Sequence, residues 1–203
     1  MTTFLIPFLW AFGLTVFLGP LLIPVLRRLK IRQTVRSDGP ATHLGKTGTP
    51  TMGGLIFIPG IVLGSLLMGK GAEILLIVAV MLGYAGIGLA DDALKAVFRR
   101  PLGLRARYKL AAEILLGVFL AIGVVGSGIR TPEVTVPLFG GAWWLGWYYV
   151  PFVIFVLIAT TNSVNLTDGL DGLAIGVCLI VALGYALIGI FQGSPAITAI
   201  AAS

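Results

Sequence analysis

The residues best equipped for chemistry lie in the stretch Thr161-Asn162-Ser163-Val164-Asn165-Leu166-Thr167-Asp168-Gly169-Leu170-Asp171-Gly172, between two long apolar runs. Asn162, Asn165, Asp168 and Asp171 recur at every third residue. In a helix or a tight turn that spacing fans them over one side. Gly169 and Gly172 predict that the carboxylates sit on a turn leading into the next helix. Polar groups at a membrane boundary are costly to hold, which points to function. Capping of the following helix by Thr167 or Asp168 accounts for one acid, but not for four polar groups in register.

A second cluster is Gly88-Leu89-Ala90-Asp91-Asp92, read as the opening of a basic loop that also holds Lys95, Arg99, Arg100, Arg105, Arg107 and Lys109. Adjacent carboxylates at a helix end repel each other unless a cation or proton intervenes. Mg2+ suits them, because it prefers oxygen ligands and commonly bridges carboxylates to substrate phosphates. Lys95 and Lys109 would then balance charge and hold diphosphate. The bland reading is a solvated acid pair relieved by neighbouring cations. A third cluster, His43-Leu44-Gly45-Lys46-Thr47-Gly48-Thr49-Pro50-Thr51-Met52-Gly53-Gly54, gathers hydroxyls and backbone N–H groups where a helix begins. Such a site can hold phosphate oxygens, with Lys46 as a point charge. The order of lysine and glycines is not that of a Walker P-loop. There is no Cys–His pair, zinc spacing or serine hydrolase elbow. Phosphoryl transfer, which relies on positioning and electrostatics, fits these groups best.

The elements that carry the clusters are membrane spans. Of 203 residues 58% are hydrophobic, and the mean hydropathy is +1.04. That is a membrane composition, and a membrane-embedded site for the chemistry above implies that one substrate is a lipid. The apolar runs are continuous rather than alternating, so the spans are helices. They are read as Phe4 to Leu26, with Pro7, Pro20 and Pro24 kinking or ending it, Met52 to Met68, Glu73 to Ala90, Leu110 to Gly126, Tyr148 to Thr160 or beyond, and Leu173 to Phe191. Ala196 to Ala202 resembles the start of a seventh. The first run lacks a basic n-region, so no removable signal peptide is expected. Val134-Thr135-Val136 and Trp143-Trp144 flank Phe139-Gly140-Gly141, which predicts a β-hairpin. Trp143, Trp144, Trp147, Tyr148 and Tyr149 read as an interfacial belt. Gly60 and Gly64 predict close helix packing, and the lone Cys178 is expected to be a buried thiol.

The 14 Lys and Arg exceed the 8 Asp and Glu, a balance that suits an anionic membrane surface or substrate. The basic residues flank spans and no nucleic-acid module is present, so nucleic acid is not expected as a partner. Only Lys70 and Arg130 fall outside the two basic loops, one between Arg27 and Lys46 and the other between Lys95 and Lys109. The positive-inside rule therefore sets these loops in the cytoplasm and the N-terminus outside. Counting spans brings Asn165 to Asp171 to the same face.

Gly48-Thr49-Pro50-Thr51-Met52-Gly53-Gly54, Asp91-Asp92 with Lys95, and Asn165-Leu166-Thr167-Asp168-Gly169-Leu170-Asp171-Gly172 resemble the phospho-N-acetylmuramoyl-pentapeptide-transferase (MraY) family of the polyprenyl-phosphate sugar-phosphate transferases. The resemblance runs from the first span to the sixth. It implies an all-α polytopic membrane protein with about six transmembrane helices and a periplasmic β-hairpin. Residues 1–203 would form a single integral membrane domain, the N-terminal part of a larger helical fold. The implied reaction is Mg2+-dependent transfer of phospho-MurNAc-pentapeptide from UDP-MurNAc-pentapeptide to undecaprenyl phosphate, at the cytoplasmic face of the bacterial inner membrane. Lipid I and UMP are the products. Asp91 and Asp92 would be the catalytic pair and metal ligands, with a further ligand expected beyond residue 203. Lys46, Thr51, Lys95, Lys109, Asn165, Asp168 and Asp171 would line the nucleotide and phosphate cleft. Apolar helix faces are compatible with a homodimer. The alternatives are a GlcNAc-1-phosphate transferase of the same superfamily, an ion-pathway protein with acids near mid-membrane, and a non-catalytic membrane fragment.

Overall fold

The structure is a computed structural model that describes residues 2–28, 52–69, 71–98, 102–136, 141–168, 170 and 172–191. Lys46, Thr51, Asp171, His43 and the segment 196–202 lie outside these residues, so the readings made on them have no structural counterpart here. Among the described residues six α-helices follow in order: α1 (Thr2–Arg28), α2 (Gly54–Met68), α3 (Ala72–Ala96), α4 (Ala106–Gly126), α5 (Tyr149–Thr167) and α6 (Leu173–Phe191). All but α2, which has 15 residues, are long and apolar enough to cross a membrane. Strands β1 (Glu133–Val136) and β2 (Gly141–Trp144) separate α4 from α5 and pair antiparallel, with Glu133 opposite Trp144 and Val136 opposite Gly141. The chain is thus an all-α polytopic membrane protein with a small hairpin.

Glycine lets the helices approach closely. A Cβ at Gly60 of α2 would stand 2.6 Å from the Ala11 carbonyl oxygen of α1, so these two backbones touch only because none is there. Gly83 of α3 faces Leu116 of α4, and Gly123 of α4 faces Leu76 of α3, which makes that pair antiparallel. Gly117 of α4 receives Ile154 of α5 in the same way. Gly60 and Gly64 are buried, as the spacing predicts. The small apolar centre includes Ile74 and Val78, with Val62 and Met68 packed on it. Most other large side chains face outward, as lipid requires. Trp144 and Trp147 are exposed beside the hairpin, in keeping with a boundary role.

Three expectations need correction. The prolines do not end α1, which runs through Pro7, Pro20 and Pro24; without competing water, neighbouring groups re-satisfy the freed carbonyls. Helix α3 does not stop at Ala90 but continues to Ala96, so Asp91 and Asp92 are helical rather than the opening of a loop. Ala93, Leu94, Lys95 and Ala96 are strong helix formers that carry it on. Cys178 is exposed, not buried, because α6 leans on the described bundle only lightly, against α5.

Candidate active site

The last two turns of α3 carry Asp91, Asp92 and Lys95. Two acids near a helix C-terminus oppose the macrodipole, so each needs compensation. Asp91 has it on both oxygens. Lys95 Nζ, one turn on, donates to Oδ2 at 2.5 Å, and the backbone N–H of Leu104 donates to Oδ1 at 2.7 Å. The loop can close this way because Gly103 is left-handed, at φ +60°, and a Cβ there would collide with Asp91 Oδ1 and Lys95 Cε. Asp92 turns elsewhere. Its Oδ2 accepts from the backbone N–H of Met52 at 3.2 Å, just before α2 begins. An anion at a helix N-terminus meets unpaired N–H groups and the positive dipole end. Met52 is itself left-handed, at φ 67°, and is the one non-glycine residue so found among the described residues. Positive φ in a bulky side chain is costly and persists where surroundings over-determine it.

Lys109 lies in the first turn of α4, with its Nζ 4.0 Å from Glu113 Oε1. Glu113 Oε2 accepts from Asn162 Nδ2 of α5 at 2.9 Å. Helices α4 and α5 run antiparallel through this pair and through Gly117 with Ile154. Asn165 and Asp168 therefore follow Asn162 toward the bundle end where α4 starts and α3 finishes. Asp168 is the C-cap residue of α5, and both it and Asn165 are exposed. The structure thus joins Asp92 to the start of α2 and Asp91 to the segment leading into α4, with Lys95 bonded to Asp91. It joins Lys109 to α5 through Glu113, and leaves Asn165 and Asp168 at the same end without a side-chain bond among the described residues. Glu113 escaped the sequence reading. Its signal was present, as an acid inside an otherwise apolar span one helical turn after Lys109.

Adjacent helical side chains diverge by roughly 100°, and Asp91 and Asp92 do so, each toward a different backbone N–H. Their hard oxygens suit Mg2+ in kind. Among the described residues, however, no group of three acidic, histidine or cysteine side chains converges to hold a metal. Asp92 Oδ1 is the carboxylate oxygen of the pair that accepts no hydrogen bond among the described residues. The pair supplies oxygens of the kind magnesium takes, but not a convergent ligand set among the described residues, so phosphate oxygens, water or a further acid would have to complete one.

These features define a polytopic membrane protein with an oxygen- and cation-lined end suited to phosphate chemistry. The chain belongs to glycosyl transferase family 4, whose profile matches residues 74–203. Residues 46–58 match signature 1 of phospho-N-acetylmuramoyl-pentapeptide-transferase. The chain is 47% identical to the phospho-N-acetylmuramoyl-pentapeptide-transferase of Moorella thermoacetica over 188 residues, which is 92% of this chain and 59% of that relative. Against the transferase of the same name from Desulfitobacterium hafniense it is 46% identical, over 91% of this chain and 56% of the relative. Against that of Caldanaerobacter subterraneus the figures are 48%, 90% and 58%. The chain therefore spans less than two thirds of the length of the relatives it matches.

Proposed function

We propose that this chain supplies the acid pair and phosphate-holding groups of an enzyme that moves phospho-N-acetylmuramoyl-pentapeptide from its UDP carrier to undecaprenyl phosphate. A phosphate oxygen of the lipid bonds to the sugar-side phosphorus of the donor. The bond from that phosphorus to the bridging oxygen breaks, and UMP leaves with the electron pair. Lipid I is the other product. Little covalent work falls to the protein in such a transfer; alignment and charge compensation dominate.

One observation carries the reading: the Met52 N–H, within the 46–58 segment that matches the transferase signature, is bonded to Asp92, 40 positions away. The signature and the acid pair meet at one helix start. In this reading Asp91, its oxygens oriented by Lys95 and Leu104, aligns the lipid phosphate. Lys46, Lys95 and Lys109 hold the donor diphosphate, and Thr51, Asn165, Asp168 and Asp171 line the nucleotide cleft. Asp91 and Asp92 would hold Mg2+, which when bound offsets the charge gathered on the phosphates. The Lys and Arg distribution supports an N-terminus outside and a site on the cytoplasmic side of the bacterial membrane.

The test is UMP release in a chain of the relatives' full length that carries these residues. Asp91→Asn should lower turnover by about a thousandfold or more, with membrane insertion unchanged. Near-normal turnover would refute the role given to Asp91. Use of UDP-GlcNAc in preference to the peptide-bearing donor would favour the sister transferase instead.

A further inference from the structure

Glu113 has no part in the reading above. It lies roughly 12 Å along α4 from the N-cap residue Arg105, at 1.5 Å per residue. It is 2% exposed, inside an apolar span. Desolvating a lone carboxylate is expensive, so one found there must be partnered. It has a partner on each oxygen: Asn162 Nδ2 at 2.9 Å on Oε2 and Lys109 Nζ at 4.0 Å from Oε1. The Asn162 amide is itself held, because it also donates to the Ile158 carbonyl of its own helix at 2.9 Å. From α3, the Tyr84 hydroxyl donates to the Glu113 carbonyl at 3.5 Å. Three helices meet at this residue.

Closing the seam between α4 and α5 needs no charge, since Gly117 and Ile154 already interlock one turn away. What a fixed anion adds is a hold on the ammonium one turn nearer the polar end. We infer that Glu113 is a positioning residue for the donor-binding end of the molecule. Asn162 fixes the carboxylate, and the carboxylate sets the height and direction of Lys109. The inference rests on the transferase reading and adds to it a residue that touches neither substrate. Lysine has a flexible four-carbon stem. Without Glu113 its charge is spread over more positions, which weakens donor binding more than the chemical step.

Glu113→Gln keeps the volume and leaves a carbonyl for Asn162 to donate to, while removing the charge. In the full-length protein it should raise the donor KM about tenfold with kcat within about twofold. The rise should disappear when the substitution is made in a Lys109→Met background, because coupled residues are not additive. Additive effects, or an unchanged KM, would overturn the inference. Should Glu113→Gln not accumulate as folded protein, Asn162→Ala carries the same test. It frees the carboxylate but keeps its charge, and its effect on donor KM must also vanish with Lys109→Met. A wild-type protein that releases no UMP from this donor sinks the transferase reading and the inference with it. Wild-type turnover with unaltered Glu113→Gln kinetics sinks the inference alone.

Discussion

Gly103 shows how much a single backbone position contributes to the acid pair. Its left-handed φ lets the chain fold back so that the Leu104 N–H reaches Asp91, and the missing Cβ leaves room for both Asp91 and Lys95. Gly103→Ala meets a strained φ and a steric conflict together. We expect it to cost about 2 kcal/mol of stability, seen as a lowered unfolding midpoint in detergent, and, on the transferase reading, to reduce UMP release by the full-length protein at least about tenfold. Gly128, also left-handed but with open space around it, provides the contrast: Gly128→Ala should keep turnover near wild type. Which residue types could bind phosphate and cation was legible in the sequence. That Asp91 and Asp92 serve different N–H groups was not, because their partners, Leu104 and Met52, contribute backbone atoms that carry no side-chain signature.

At the scale of the elements, apolar run length located the six α-helices of the described residues, and turn chemistry located the hairpin. Charge hid two helix boundaries: α3 continues past Asp91 and Asp92 to Ala96 on strong helix formers, and α4 starts at Ala106, four residues before Leu110, so that Arg107 and Lys109 are helical and not part of the basic loop. Burial was less legible, because in a membrane both a packed face and a lipid face are apolar. The glycines, with the polar Ser65 and Glu113, mark the packed one. Among the described elements α1 packs most extensively on α2, and Gly60 sits in that contact against Ala11 and Thr15. Gly60→Val would force the two backbones apart. A loss of about 1–3 kcal/mol is expected from such overpacking, measured as a lower thermal midpoint. The same change at Gly13, which has nothing within 4 Å of its would-be Cβ, should leave the midpoint nearly unaltered.

For the whole molecule, the hairpin and the acid-bearing helix ends lie at opposite ends of α4 and α5. With Cys178→Ala as background, a cysteine at Thr131 should react with an impermeant maleimide added outside intact cells, and a cysteine at Arg105 only after the cells are opened. Reversed labelling would turn the assigned orientation over. The short helix α2 has a different consequence. Its 15 residues rise about 22 Å, against a hydrocarbon layer of roughly 30 Å. Met52 and the carboxylate bonded to it are thus drawn below the level of the headgroups unless the bilayer dimples to meet them. Such mismatch costs fractions of a kcal/mol per Å, and on the transferase reading a lipid phosphate aligned by Asp91, the neighbour of Asp92, shares in it. If the proposed transfer holds, acyl-chain length becomes a control on it: with the full-length protein, vesicles of short-chain lipid should support faster turnover than long-chain ones at equal acceptor density.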